Sequence, residues 1–245
     1  MTTKYNYLYN GNNLLNQGKF EINENVFDNF WEILPTEKTQ FKEEQTKLKI
    51  KDEQSASLFA QSEEKAVLAI QKHAMNISGK EKNPQMDEAY FLLGQSRYYD
   101  QRFIPSLEAF NYILFKYPTS ELVNKAKIWR EKINAKQNYN ELAIENLKEI
   151  ESRGKLSKEE IIDLNVVLTQ AYLNSKKIDS AIIHLEIASK AIQDLNKKSR
   201  YLFILGQLYK KLNKLDSSNI VYDRVIKLYR KIPREYYVYS FVEKS

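Results

Sequence analysis

Cysteine is absent from all 245 residues, which excludes disulfides, thiolate metal sites, a cysteine nucleophile and any lipid attached through cysteine in the chain as given. Histidine is nearly absent: His73 and His184 are the two, neither has a second histidine at ligand spacing, and imidazole-rich metal centres are excluded with them. Six glycines and five prolines are too few for a sandwich or barrel, which use turn residues every ten or so positions, and no Gly-rich phosphate loop is present. The longest apolar stretches, such as Tyr201–Leu205 and Tyr90–Leu93, fall far short of the roughly 18 to 20 residues that a helix needs to cross a bilayer. The first residues, Met1 to Tyr7, lack the basic flank and apolar run of a signal peptide. An excess of one charge is also missing: 38 Lys and Arg against 32 Asp and Glu give +6, so bulk nucleic-acid binding is not implied.

What is present is 42% apolar residues at helical spacing, enough for one elongated domain or two small ones. Numbered from Asp87, the chain places Tyr90, Leu93, Gly94, Phe103, Ser106, Phe110, Ile113 and Pro118 at offsets 4, 7, 8, 17, 20, 24, 27 and 32, the register of a tetratricopeptide (TPR) repeat. Small residues at offsets 8 and 20 let two helices approach closely while large apolar residues fill between them. Numbered from Ser199, the same positions hold Leu202, Leu205, Gly206, Ser218, Tyr222 and Val225. A more degraded copy from Ile162 holds Leu168, Thr169, Tyr172, Ile178, Ala181, Leu185 and Ala188. Residues 121–153 have room for one irregular pair, with stripes through Leu122, Ala126, Trp129, Ile133 and through Leu142, Ala143, Leu147, Ile150. Gly154 ends that pair, and Ser157 with Glu160 forms a capping box that opens the next helix.

The expected fold is therefore all-α: a right-handed TPR α-solenoid of antiparallel helix pairs. We expect an N-terminal helical segment over 1–34, a polar linker or crossing over 35–55, and a TPR-like array over 56–245 that stops inside a helix, as in a chain truncated at its C-terminus. Trp31, surrounded by Phe27, Phe30, Ile33 and Leu34, is expected in the core.

A stack of this kind works through its faces. The first helix of each pair lines the concave side at offsets 2, 5, 9, 12 and 13. These are Glu88, Phe91, Gln95, Tyr98 and Tyr99 in the first unit, and Asp163, Val166, Gln170, Leu173 and Asn174 in the second. In the third they are Arg200, Phe203, Gln207, Lys210 and Lys211. Glutamine recurs at offset 9. A carboxamide both donates and accepts, so such a row can hydrogen-bond an extended backbone while Phe91, Tyr98, Tyr99 and Phe203 pack its side chains; the other reading is polar surface. The carboxylate-clamp pattern of Lys and Asn at offsets 5 and 9 is absent. Between Lys176 and Arg234, 14 Lys and Arg face 5 Asp and Glu, a local +9 that is either a solvated face or a surface for an acidic protein, RNA or anionic head groups.

No catalytic constellation emerges, and no cofactor is implied. Ser62 and Lys65 have Ser-x-x-Lys spacing without its companion motifs, and the paired carboxylates Glu43–Glu44, Glu63–Glu64 and Glu159–Glu160 are adjacent, so they point to different sides of a helix. The expectation is a non-enzymatic adaptor with protein partners and no small-molecule substrate. An RNA-associated or regulatory TPR protein working through the basic face is the alternative, and a glycan-binding module using Trp31 and Tyr236 is a third.

Three stretches carry a family resemblance: residues 5–11 (YNYLYNG), residues 29–35 (NFWEILP), and residues 69–110 with the loop QKHAMNISGKEKNP feeding the Asp87 repeat. They resemble the PorW/SprE family, TPR lipoproteins of Bacteroidota linked to type IX secretion and gliding motility, over most of the chain, which would be the N-terminal part of a longer protein. The resemblance implies an adaptor on the periplasmic side of the outer membrane that joins the translocon to other secretion or gliding components. Family members are anchored by an acylated cysteine just upstream of the YNG region. This chain has no cysteine and begins at Met1, as expected of an engineered or trimmed mature fragment whose anchor belongs to the parent.

Overall fold

The computed structural model describes residues 3–40, 56–77 and 80–244. Their regular elements are helices except for a two-residue ladder that pairs β1 (Asn76–Ile77) with β2 (Lys80–Glu81) antiparallel, and residues 26–40 carry only turns and irregular backbone. After a π-helical stretch at Thr3–Leu8 come eleven α-helices among the described residues. They are α1 (Tyr9–Asn25), α2 (Leu58–His73), α3 (Met86–Tyr99), α4 (Phe103–Lys116), α5 (Val123–Lys136), α6 (Asn140–Ser152), α7 (Lys158–Asn174), α8 (Ile178–Ala191), α9 (Leu195–Lys211), α10 (Leu215–Ile226) and α11 (Arg234–Lys244). The expected linker over 35–55 is described only to Gln40; residues 41–55 lie outside the described residues.

The chain forms two compact units whose boundaries cut across those expected from sequence. The first comprises Met1–Phe27 and Lys38–Ile133, the second Asp28–Glu37 and Asn134–Ser245. Within the first, α1 packs on α2, α2 on α3 and α3 on α4; within the second, each helix from α6 to α11 packs on the next.

The turns that follow α3, α5, α7 and α9 share one backbone geometry. A left-handed residue stands at Gln101 (φ 59°), Asn138 (67°), Lys176 (59°) and Asn213 (57°), at intervals of 37, 38 and 37 residues. Each turn also closes with a bond from the next amide to the carbonyl five residues back: Arg102 to Arg97, Tyr139 to Asn134, Lys177 to Tyr172 and Lys214 to Tyr209, all at 2.9 Å. This is a Schellman-type stop, which satisfies carbonyls that the end of a helix leaves without partners. The 121–153 pair, irregular in its side-chain pattern, thus has the same backbone turn as its neighbours. The helix starts are local too: Ser157 and Glu160 form the expected capping box on α7, and the Asp194 side chain accepts from Asn196 and Lys197 at the start of α9.

The small residues of the repeat interlock with aromatic rings. In α3–α4, Ser106 Oγ donates to the Gly94 carbonyl (2.7 Å); in α9–α10, Ser218 Oγ donates to the Gly206 carbonyl (2.9 Å). A Cβ on Gly94 would lie 2.7 Å from the Phe110 ring, and one on Gly206 2.4 Å from Tyr222. Both rings are 0% exposed and have nowhere to move. Gly206→Ala is expected to destabilise the chain by about 1–3 kcal/mol through overpacking, and adding Tyr222→Leu should recover part of that loss. Urea unfolding of the two variants checks it; a neutral Gly206→Ala would overturn the interlock.

His184 of α8 stacks on Tyr172 of α7, with centroids 5.4 Å apart and planes at 13°, and its Nδ1 lies 2.8 Å from Asn165 Oδ1. Burial is the main cause that holds the imidazole below its ordinary value, Lys148 acts in the same direction and Glu151 against it. The folded chain therefore favours the neutral ring, whereas the unfolded chain takes up a proton near pH 6.5. Stability from this site is complete above that pH and declines as the pH falls through it. Urea midpoints measured at about pH 7.5 and about pH 5 should drop more in the wild type than in His184→Gln.

Candidate functional site

The side of α7 and α9 that presents Gln170 and Gln207 is already occupied, and its occupant is the chain's own Asp28–Glu37 segment. Gln207 of α9, 8% exposed, uses its whole carboxamide on that segment's backbone. Its Oε1 accepts from Leu34 N–H (3.0 Å), and its Nε2 donates to the Phe30 and Glu32 carbonyls (3.1 and 2.7 Å). Gln170 of α7 accepts from the Thr36 amide (2.8 Å) and hydroxyl (3.1 Å) through Oε1, while its Nε2 donates to Asn174 Oδ1 (2.9 Å). Two of the three glutamines at offset 9 thus hold main-chain groups of an irregular segment, in cis.

Arg200, one turn into α9, completes the grip. Nε donates to the Pro35 carbonyl (2.9 Å), while Nη1 and Nη2 take the two carboxylate oxygens of Asp28 (2.6 and 3.0 Å). Nη1 also donates to the Tyr236 hydroxyl of α11 (2.8 Å). The side chains of the Arg200–Asp28 pair are 7% and 5% exposed. Burial opposes the guanidinium's charge, yet the hydrogen bond and charge of Asp28 hold its pKa above the ordinary value. Burial pushes the Tyr236 phenol up to about 12, so it meets Arg200 as a neutral hydroxyl.

The apolar residues of the segment divide by side. Phe30 (5% exposed) stacks on Tyr239 (centroids 4.2 Å apart, planes at 3°) and meets Phe203 edge-on at 5.2 Å, and Leu34 is 2% exposed. Trp31 and Ile33 are 72% and 37% exposed. Trp31 therefore leaves the core expected for it: Asn29 closes a short turn, its carbonyl accepting from Glu32 N–H (3.1 Å), and only Phe30 and Leu34 point inward. Tyr236, offered with Trp31 as an exposed glycan platform, is 4% exposed and belongs to the core.

Several residues expected to line an open concave face are covered. In the first unit, Tyr98 and Tyr99 are buried: Tyr99 stacks on Phe59 of α2 (5.5 Å), and Trp129 of α5 lies edge-on to both tyrosines (5.2 and 6.1 Å). Lys132 Nζ sits above the rings of Tyr98 and Trp129 at 4.7 and 4.3 Å. Phe91 is half-buried, edge-on to Phe110, and Gln95 beside it is half-buried. Phe203, 0% exposed, is core beneath Phe30. For Tyr98, Tyr99 and Phe203 the physical reason is shared: an aromatic ring from elsewhere in the same unit packs against each. Asn174 donates to the Ala135 carbonyl and Asn140 Oδ1 (3.1 and 3.0 Å), which fixes the α5–α6 turn, and Lys210 pairs with Glu243 of α11 (2.9 Å).

A cavity of about 400 Å³ in the first unit is lined by Glu81, Asn83, Asp87, Lys116, Tyr117 and Ser120. Its carboxylates are engaged: Glu81 accepts from the Met75 and Asn83 amides (both 2.8 Å), and Asp87 from the Ser120 hydroxyl. Among the described residues no group of three His, Asp or Glu could hold a metal ion, and no helix is long and apolar enough to cross a membrane.

The sequence matches no family model and no curated protein. Among solved structures, the MamA RS-1 ArsTM double mutant resembles this chain with a TM-score of 0.51 at 11% identity, over 77% of this chain and 93% of that one. At that identity the likeness concerns the fold: this is an all-helical chain with a helical-repeat neighbour.

Proposed function

We propose that this chain is a TPR-type protein-interaction scaffold without catalytic activity. The observation that carries the reading is the second unit's concave face, where two glutamines at equivalent repeat positions and an arginine grip the main chain of the irregular Asp28–Glu37 segment. That is the chemistry by which a helical stack recognises peptide: carboxamides read the main chain and pockets read alternate side chains. The recurring turn at Gln101, Asn138, Lys176 and Asn213 supports the repeat reading.

The finer reading comes from the resemblance of residues 5–11, 29–35 and 69–110 to the PorW/SprE family. In it, the parent protein sits on the periplasmic side of the outer membrane as a lipoprotein and joins the type IX translocon to other secretion or gliding components. The alternative, binding of RNA or an acidic partner to the basic C-terminal face, has less support. Of the 14 cations from Lys176 to Arg234, five are bound to carboxylates: Lys177 to Glu141, Lys190 to Glu186, Arg200 to Asp28, Lys210 to Glu243 and Lys214 to Asp179. In-cell cross-linking of the tagged chain in a Bacteroidota envelope, followed by mass spectrometry, tests both readings. Type IX translocon proteins are the expected adducts; RNA adducts would favour the basic face, and translocon-free adducts would sink the secretion reading.

A further inference from the structure

The Asp28–Glu37 segment lies in the second unit as a ligand lies in a receptor. It is the one part of that unit distant in sequence from the rest, which begins at Asn134. Its main chain is met by side chains of the groove helices: the Phe30 and Glu32 carbonyls and the Leu34 amide by Gln207, the Pro35 carbonyl by Arg200, the Thr36 amide by Gln170. Side-chain recognition of main-chain groups does not depend on the sequence bound, so specificity falls to the inserted residues. These are Asp28 on the Arg200 fork, Phe30 among Phe203, Tyr236 and Tyr239, and buried Leu34 and Thr36, with Pro35 between them.

We propose that the concave face of the second unit is a peptide-binding groove held closed in cis by Asp28–Glu37, and that its partner is a segment bearing Asp-x-aromatic-x-x-x-Leu-Pro-Thr that makes the same turn near its start and takes that segment's place. The proposal rests on the scaffold reading above and gives it a recognition code. Occupation in cis sets a threshold. A tethered segment competes at a high effective concentration, so a free peptide binds weakly until the tethered one is loosened. The outward Trp31 stays exposed while the groove is filled, so the closed state remains accessible at the segment itself.

The test uses the full chain. A fluorescein-labelled peptide with the sequence of residues 28–37 is titrated, by anisotropy, into three proteins whose helicity is checked by circular dichroism: the wild type, the double variant Asp28→Ala/Phe30→Ala, and that variant with Gln207→Ala added. The expected result is at least a tenfold tighter Kd for the double variant than for the wild type, lost on adding Gln207→Ala and absent with a peptide whose Phe30 is Ala. A folded double variant that binds no better than wild type overturns the proposal. If the double variant does not fold, native-state hydrogen exchange on the wild type decides. Leu34 and Thr36 amides exchanging at least ten times faster than those of Ile204 and Leu205 would show the segment opening without the unit unfolding; equal rates would make it permanent core and overturn the proposal. Failure here leaves the scaffold reading intact, because translocon cross-links can form through other surfaces.

Discussion

Replacing Arg200 with Ala is expected to destabilise the second unit by about 3–5 kcal/mol, seen as a lower urea midpoint. The magnitude follows from what remains. The Asp28 carboxylate, 5% exposed, would lose the fork that takes both its oxygens, and the Pro35 carbonyl and Tyr236 hydroxyl would each lose a donor. The buried pair itself contributes little net stability, since taking both charges out of water offsets most of their attraction. The double variant Asp28→Leu/Arg200→Met should therefore recover most of the loss. A single variant that costs less than about 1 kcal/mol, or a double variant no better than the single, would show that water reaches the pair.

Phe203→Ala is the second large effect, also about 3–5 kcal/mol, because a ring 0% exposed leaves a cavity bounded by Phe30, Tyr222 and Tyr236. Phe203→Leu refills most of that volume and should cost about 1–1.5 kcal/mol. Thermal unfolding of the pair gives the comparison. Near-equal losses would mean that the edge-on ring contacts matter more than volume. Substituting Tyr98, Tyr99 or Phe203 with Ala is accordingly a test of folding and not of partner binding.

Much of the helical organisation is legible in residues close together in the chain. The capping box at Ser157 and Glu160 and the stop at Gly154 are written within a few positions. The Gly94–Phe110 and Gly206–Tyr222 interlocks follow from the offsets 8 and 24, because a helical hairpin brings those two positions together wherever it forms. The common turn at Asn138 was masked by side chains: residues 121–153 lack the glycine of the repeat, yet their backbone closes on the same carbonyl. The glutamines at 170 and 207 could be read as groups able to hold an extended backbone, since the carboxamide's chemistry and its helical position are both local properties.

Which backbone they hold was not legible. Leu34 and Gln207 are separated by 173 residues and Asp28 and Arg200 by 172, and no periodicity relates such positions. Clustering of Phe27, Phe30, Trp31, Ile33 and Leu34 says that some must be buried; the turn at Asn29 and the shape of the receiving groove choose Phe30 and Leu34 and leave Trp31 in solvent. Tyr98 and Tyr99 stand at outward positions of α3 and are nonetheless buried, because Trp129, thirty residues on, packs across them. Local chemistry settled the helices, their caps and the amide row. Burial and occupancy of the face that carries that row depend on apolar area removed from water by distant segments, a quantity that exists only once the chain has folded.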